Sequence, residues 1–109
     1  MQPNNPFFDE MVAITLPVTQ SERVGQSTSG WVTRVGPQGL EAVLEPAPSG
    51  TYSWLEFVLP ESGYRIKALG EVTALTASAD GKRVVFRFKH VFPRDRAALG
   101  DFLSHRAAA

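Results

Sequence analysis

Along most of this chain, hydrophobic and polar positions alternate with a period of two. Val12, Ile14, Leu16 and Val18 are separated by Ala13, Thr15 and Pro17, as expected of a strand with one buried face. Pro17 has no backbone N–H to donate, which places this strand at a sheet edge or at a bend. SERVGQSTSG is small, polar and bounded by glycine, and reads as a loop ahead of an extended run from Trp31 to Val35. Gly36-Pro37-Gln38-Gly39 marks a tight turn, after which Leu40, Ala42 and Leu44 alternate with Glu41, Val43 and Glu45. The two runs predict a hairpin.

Pro46-Ala47-Pro48-Ser49-Gly50 breaks the chain before a β-rich run from Trp54 to Leu59, which Pro60-Glu61-Ser62-Gly63 closes. Tyr64 to Ala77 reads as one long strand bent near Gly70, because an interior glycine commonly marks a bulge or a barrel corner. Ala79-Asp80-Gly81-Lys82 supplies a hairpin turn. In the last strand Val84, Phe86 and Phe88 alternate with Val85, Arg87 and Lys89.

The period changes after Pro93. In PRDRAALGDFLSHR, Leu99, Phe102 and Leu103 share a helical face whose polar ends are Asp95 and Arg106. Pro93 suits the first helical position, Asp95 the first turn, and His105 with Arg106 the C-terminal end of the dipole. The prediction is a mostly β fold: a small antiparallel barrel of six or seven strands, plugged or flanked by one C-terminal α-helix. Gly100 is the weak point of that helix, at about 1 kcal/mol relative to Ala.

Length and composition narrow the picture. At 109 residues the chain is sized for one core. We expect a tail over residues 1–6, a single domain over 7–106 and a frayed end over 107–109. Eleven Lys/Arg balance eleven Asp/Glu, so bulk charge attracts neither nucleic acid nor an anionic membrane. The chain has no cysteine, which removes disulfides and thiolate chemistry. The opening MQPNNPFFDEMVAITLPV lacks a basic region followed by a continuous apolar run, so no secretion leader is expected. No stretch reaches the roughly 20 apolar residues that span a bilayer. A cytoplasmic protein is expected, reaching a membrane or cell-pole complex only through a partner.

The strand order, with its Gly-containing turn after the second strand and a helix after a Phe-rich strand, resembles the PilZ domain family. FVLPESGYRIKALGEV is similar to that family's strand ending in Leu-Pro, its turn, and its strand with Gly-x-Val, here Gly70-Glu71-Val72. VVFRFKHVFPRDRAALGDFL is similar to its ending, where a helix closes in Leu-x-x-Phe-Leu, here Leu99 to Leu103. The resemblance covers about residues 7 to 106. It implies a PilZ-like barrel and a bacterial regulator of motility, type IV pili, cell polarity or surface-associated behaviour.

The resemblance also implies where a ligand would sit. PilZ domains bind cyclic-di-GMP through an Arg-x-x-x-Arg arm before the first strand and an Asp/Asn-x-Ser-x-x-Gly turn after the second. Guanidinium groups fork onto phosphates and guanine edges, and the short polar side chains hydrogen-bond the ligand. Here the arm positions hold Phe7 and Met11, and the turn keeps Gly39 while Arg34 and Gly36 replace the acid and the serine. Two lost charge-assisted contacts remove about 3–6 kcal/mol from the roughly 8 kcal/mol of a micromolar ligand. Asp9 and Glu10 add repulsion.

The expected protein is therefore a non-enzymatic protein-interaction adaptor acting without cyclic-di-GMP or any cofactor, with another protein as partner. The alternative is a weak receptor for cyclic-di-GMP or another nucleotide, using Arg34 and neighbouring basic groups. Phe7, Phe8 and Arg34 are the candidate partner-binding residues, since aromatics and arginines anchor interfaces. The competing reading has Phe7 or Phe8 packed on the barrel mouth and Arg34 solvated. Trp31 and Trp54 are expected in the core. His90 and His105 have no third ligand at metal spacing, so no metal site is expected. Ser21, Ser27, Ser29, Asp80 and His90 offer the residue types for acyl transfer without an organised motif. Arg87, Lys89, Arg94 and Arg96 read as a solvated basic face, paired with Asp95 and Asp101. Monomer and homodimer stay open.

Overall fold

The computed structural model describes residues 11–108. Its elements are β1 (Val12–Arg23), β2 (Gln26–Val35), β3 (Gly39–Leu44), β4 (Tyr52–Val58), β5 (Arg65–Ser78), β6 (Gly81–Val91) and α1 (Pro93–Ala108). The six strands close a barrel in the order β1-β2-β3-β6-β5-β4, with every pairing antiparallel. The expected barrel with one C-terminal helix is therefore present, with six strands.

Period-two alternation sets the interior. Leu16 and Val18 of β1 point inward with Leu40, Ala42 and Leu44 of β3, and Leu55 and Phe57 of β4 join Ile66 and Ala68 of β5. Val84, Phe86 and Phe88 of β6 complete the ring. Burying a side chain of this size contributes roughly 1.5–3 kcal/mol, so this single continuous cluster supplies most of the driving force. Pro17 lies on β1 immediately before the pairing with β4 begins at Val18, at the edge position a residue without a backbone N–H favours. The expected bend at Gly70 appears as a register shift between Leu69 and Gly70 against β6.

Two expectations are corrected. SERVGQSTSG is no loop: Ser21–Arg23 continue β1 and Gln26–Gly30 begin β2, joined by a tight turn in which Gly25 takes φ 83°. Most of this hairpin is exposed, so backbone pairing holds it and no apolar alternation is required to form it. Trp31, expected in the core, is 54% exposed. It sits one position out of phase with buried Val32, on the outer wall. Trp54 is half-buried, with the Lys67 ammonium 5.3 Å from the centre of its ring.

Helix α1 begins at Pro93, as the pattern predicts. Leu99 and Leu103 are buried and Phe102 packs partly against the core. Asp95 ties the first turn to the sheet: the Tyr64 hydroxyl and the Lys67 backbone N–H both donate to its carboxylate, each at 2.9 Å. The hydroxyl bond raises the Tyr64 phenol above its ordinary range, because ionisation would give up the bond and face the carboxylate's charge. Gly100 is exposed, and a Cβ built there meets nothing within 4 Å. Gly100→Ala is accordingly expected to raise the unfolding free energy by about 1 kcal/mol, measured by urea titration.

Candidate functional site

The β2–β3 turn closes at one end of the barrel. The Gly36 N–H donates to the Gly39 carbonyl at 2.9 Å, and the Phe88 N–H donates to the Gln38 carbonyl at 2.7 Å, fixing the turn onto β6. Val12 pairs with Val35 and Ala13 with Arg34, so Met11 arrives at the level of this turn. The structure thus gathers Met11, Arg34, Gly36 and Gly39 at one barrel end. Phe7 and Phe8 lie outside the described residues.

Arg34 is not in the turn itself. It stands on β2 directly opposite Glu41 of β3, one pair from the end of the hairpin. A register shift between Val32 and Arg34 inserts Thr33, so two successive β2 residues address the same carboxylate. The Thr33 hydroxyl donates to Glu41 Oε1 at 2.8 Å, and Arg34 Nε lies 3.9 Å from the same oxygen. Arg83 of β6 reaches it diagonally, its Nη1 donating at 3.2 Å. The Glu41 side chain is 9% exposed, whereas Arg34 and Arg83 keep 46% and 39% of theirs in solvent. A nearly buried carboxylate on the outer wall is therefore neutralised by two half-exposed guanidinium groups and a hydroxyl, as a buried charge requires.

The second feature is an outward groove of about 750 Å³ centred on Trp31. Trp31 lies between Pro17 of β1 and Val43 of β3 in one cross-strand row. Thr15, Thr19, Ser29 and Thr33 surround it with hydroxyls, and Glu45 and Asp80 line one part. No Lys, Arg or His is among its lining residues. A large amphipathic ring on a rigid strand beside Pro and Val is the chemistry of an interface anchor.

The remaining candidates are dispersed. Arg87 and Lys89 both address Glu71, at 2.9 and 4.0 Å, a solvated ion cluster with a partner different from the expected Asp95 and Asp101. His90 packs edge-on against Phe92, with ring centres 4.9 Å apart. His105 Nδ1 lies 2.8 Å from the Asp101 carbonyl, a contact that raises its pKa by favouring the protonated ring. Among the described residues no group of His, Cys, Asp and Glu is placed to hold a metal. Ser29 and Asp80 line the Trp31 groove while His90 pairs with Leu69 on β5, so the residue types for acyl transfer are not brought together. Among the described residues no helix is long and apolar enough to cross a membrane.

Sequence reasoning missed Glu41, Thr33 and Arg83 as members of the first site. The signal for Glu41 was present. A hairpin turning through Gly36 to Gly39 sets Val35 against Leu40 and Arg34 against Glu41, an opposite-charge pair.

A six-stranded antiparallel barrel followed by a single helix is a PilZ-like architecture, and this chain has that fold. No family model and no curated protein sequence matches it. Among solved structures it is similar to the Bacillus subtilis inhibitor of motility MotI/DgrA, with a TM-score of 0.76 and 14% identity over 90% of this chain and 49% of the other. The chain thus spans about half the length of that protein. It is also similar to the PilZ domain of CeSA from a cellulose-synthesizing bacterium, with a TM-score of 0.63 and 13% identity over 89% of this chain and 97% of that domain.

Proposed function

We propose that this protein is a non-enzymatic PilZ-like adaptor in bacterial motility regulation, cytoplasmic and acting on another protein without binding cyclic-di-GMP. The observation that carries this reading is the state of the ligand position. Where a PilZ domain presents an acid or amide to its ligand, this chain has Arg34 beside Glu41, and the same carboxylate also engages Arg83. A phosphate approaching Arg34 would meet the Glu41 charge and compete with it for the guanidinium. Met11 and Phe7, standing for the arm's arginines, offer no cation to offset that competition.

The motility assignment draws support from the likeness in fold to an inhibitor of motility. Type IV pilus or polarity systems are the other settings the PilZ resemblance admits. The mechanism is presentation of preformed surfaces, with no bond made or broken. The exposed Trp31 row is the first such surface. The second is Arg34 near the β2–β3 turn, together with Phe7 and Phe8 of the arm that precedes β1.

Two measurements test this. Titration calorimetry with cyclic-di-GMP is expected to give no saturable heat; micromolar binding that Arg34→Ala abolishes would establish a nucleotide receptor instead. Pull-down from a motile bacterium is expected to recover a partner with wild type and to lose at least tenfold of it with Trp31→Ala or with Phe8→Ser/Arg34→Asp, since interface anchors cost about 1.4 kcal/mol or more when truncated. A partner retained by both folded variants means that neither surface is the docking site.

A further inference from the structure

Strand β5 outruns its neighbour. Its register with β4 ends at Tyr52 and Glu71, and the Val72 N–H makes one more bond, to the Thr51 carbonyl at 2.8 Å. Beyond that point β5 continues to Ser78, and among the described residues its pairing there is with β6 on the other side. Thr73 to Ala77 are all exposed. A strand paired along one side turns alternate backbone N–H and C=O groups toward solvent on the other, where a further strand can add.

Native sheets guard such edges with charge, proline, a bulge or a covering segment. Among the described residues this edge has none of these from Ala74 to Ser78. The nearer of the two register shifts against β6, between Val72 and Ala74, falls at the start of this edge, and from Ala74 opposite Val85 to Ser78 opposite Gly81 the ladder is unbroken. Thr73-Ala74-Leu75-Thr76-Ala77-Ser78 contains no charged residue, no proline and no glycine. At its centre Leu75 is 50% exposed, although it stands opposite the fully buried Val84 and so prolongs the inner apolar row past the end of the barrel wall.

We propose that this edge is a self-association surface, on which two copies of the chain pair β5 to β5 in antiparallel register about a two-fold axis at Leu75. In that register Leu75 meets its own copy, Thr73 faces Ala77 of the second copy and Ala74 faces its Thr76. An isologous contact demands a patch complementary to itself, and a charged edge fails that demand because each charge approaches its twin. Here every opposed pair is neutral, small or apolar, and the segment supplies its own match in length and polarity. The contact is short compared with a standard interface of about 1,600 Å², so the dimer is expected to form in the micromolar to millimolar range.

Sedimentation equilibrium on the full chain, from about 10 µM to 1 mM, tests this directly. Wild type is expected to show a reversible monomer–dimer equilibrium. Leu75→Lys and Thr76→Lys, each with an unchanged circular dichroism spectrum, are expected to shift it at least tenfold toward monomer. An equimolar mixture of Leu75→Lys with Leu75→Glu is expected to dimerise where neither variant does alone, because the two side chains meet at the axis. A wild type that stays monomeric overturns the proposal, as does a dimer unaffected by both lysines. Failure of the mixed pair to associate overturns the register. A monomer whose β5 edge is protected only on adding an extended peptide would show a different occupant and equally overturns self-association.

Discussion

Gly70→Val is expected to lower the unfolding free energy by about 3 kcal/mol, read as a drop in the urea midpoint with little change in slope. Gly70 is buried on the inner side of β5, and a Cβ built there would stand 2.9 Å from Leu55 Cδ1 and 3.1 Å from Phe86 Cβ. Leu55 and Phe86 are both fully buried, so neither has solvent to retreat into. Close-packed interiors absorb added methyl groups by off-rotamer side chains or backbone shifts, at about 1–3 kcal/mol and occasionally more. Gly70→Ala places a single carbon in the same gap and should cost about half as much. An equal cost for the two substitutions would point to a backbone effect and remove the steric explanation.

Gly70 also shows what kind of information the sequence carried. An interior glycine between Leu69 and Glu71 signalled a bend, and the structure has a register shift there, because the missing side chain lets β4, β5 and β6 close round a corner. The inward rows were legible for the same physical reason, since a two-sided strand with one buried face must write that face at every second residue. Helix α1 was legible from Pro93 and from Leu99, Phe102 and Leu103, whose spacing only a helix uses.

The illegible parts are those where burial does not govern the pattern. The β1–β2 hairpin from Ser21 to Gly30 is held by backbone pairing in solvent, and small polar residues in such a ribbon are indistinguishable from a loop. Trp31 follows the general preference of tryptophan for the interior only as a statistical tendency. Its phase relative to Val32 and Val35 decides the outcome, and that phase became readable once β2 was known to be continuous. Glu41 breaks the opposite rule, as a charged residue at an outward position that is nonetheless nearly buried, because Thr33, Arg34 and Arg83 converge over it. Alternation alone does not announce such a charge; the pairing of Arg34 with Glu41 across the hairpin is the signal the sequence held.

On the proposed reading, that carboxylate bears on what it would take to make the chain bind cyclic-di-GMP. A variant carrying Phe7→Arg, Met11→Arg, Arg34→Asp and Gly36→Ser restores the PilZ arm and turn around Gly39, yet it is expected to stay silent toward cyclic-di-GMP. Arg34→Asp removes one of the two cations beside Glu41 and sets a second carboxylate directly opposite it in the ladder, where like charges repel. The two carboxylates would repel each other and present negative charge to the incoming phosphates. Adding Glu41→Gln removes the repulsion and one of the two negative charges. The amide still offers an oxygen to the Thr33 hydroxyl and to Arg83, so the wall keeps its hydrogen bonds. With five substitutions the two arm arginines can contribute about 3–6 kcal/mol, which corresponds to roughly 10²–10⁴-fold tighter binding. Calorimetry on the wild type, the fourfold variant and the fivefold variant should therefore give silence, silence and micromolar binding. Saturable micromolar binding by the fourfold variant, with Glu41 intact, would show that the carboxylate is no obstacle and that the lost arginines are the whole reason for silence.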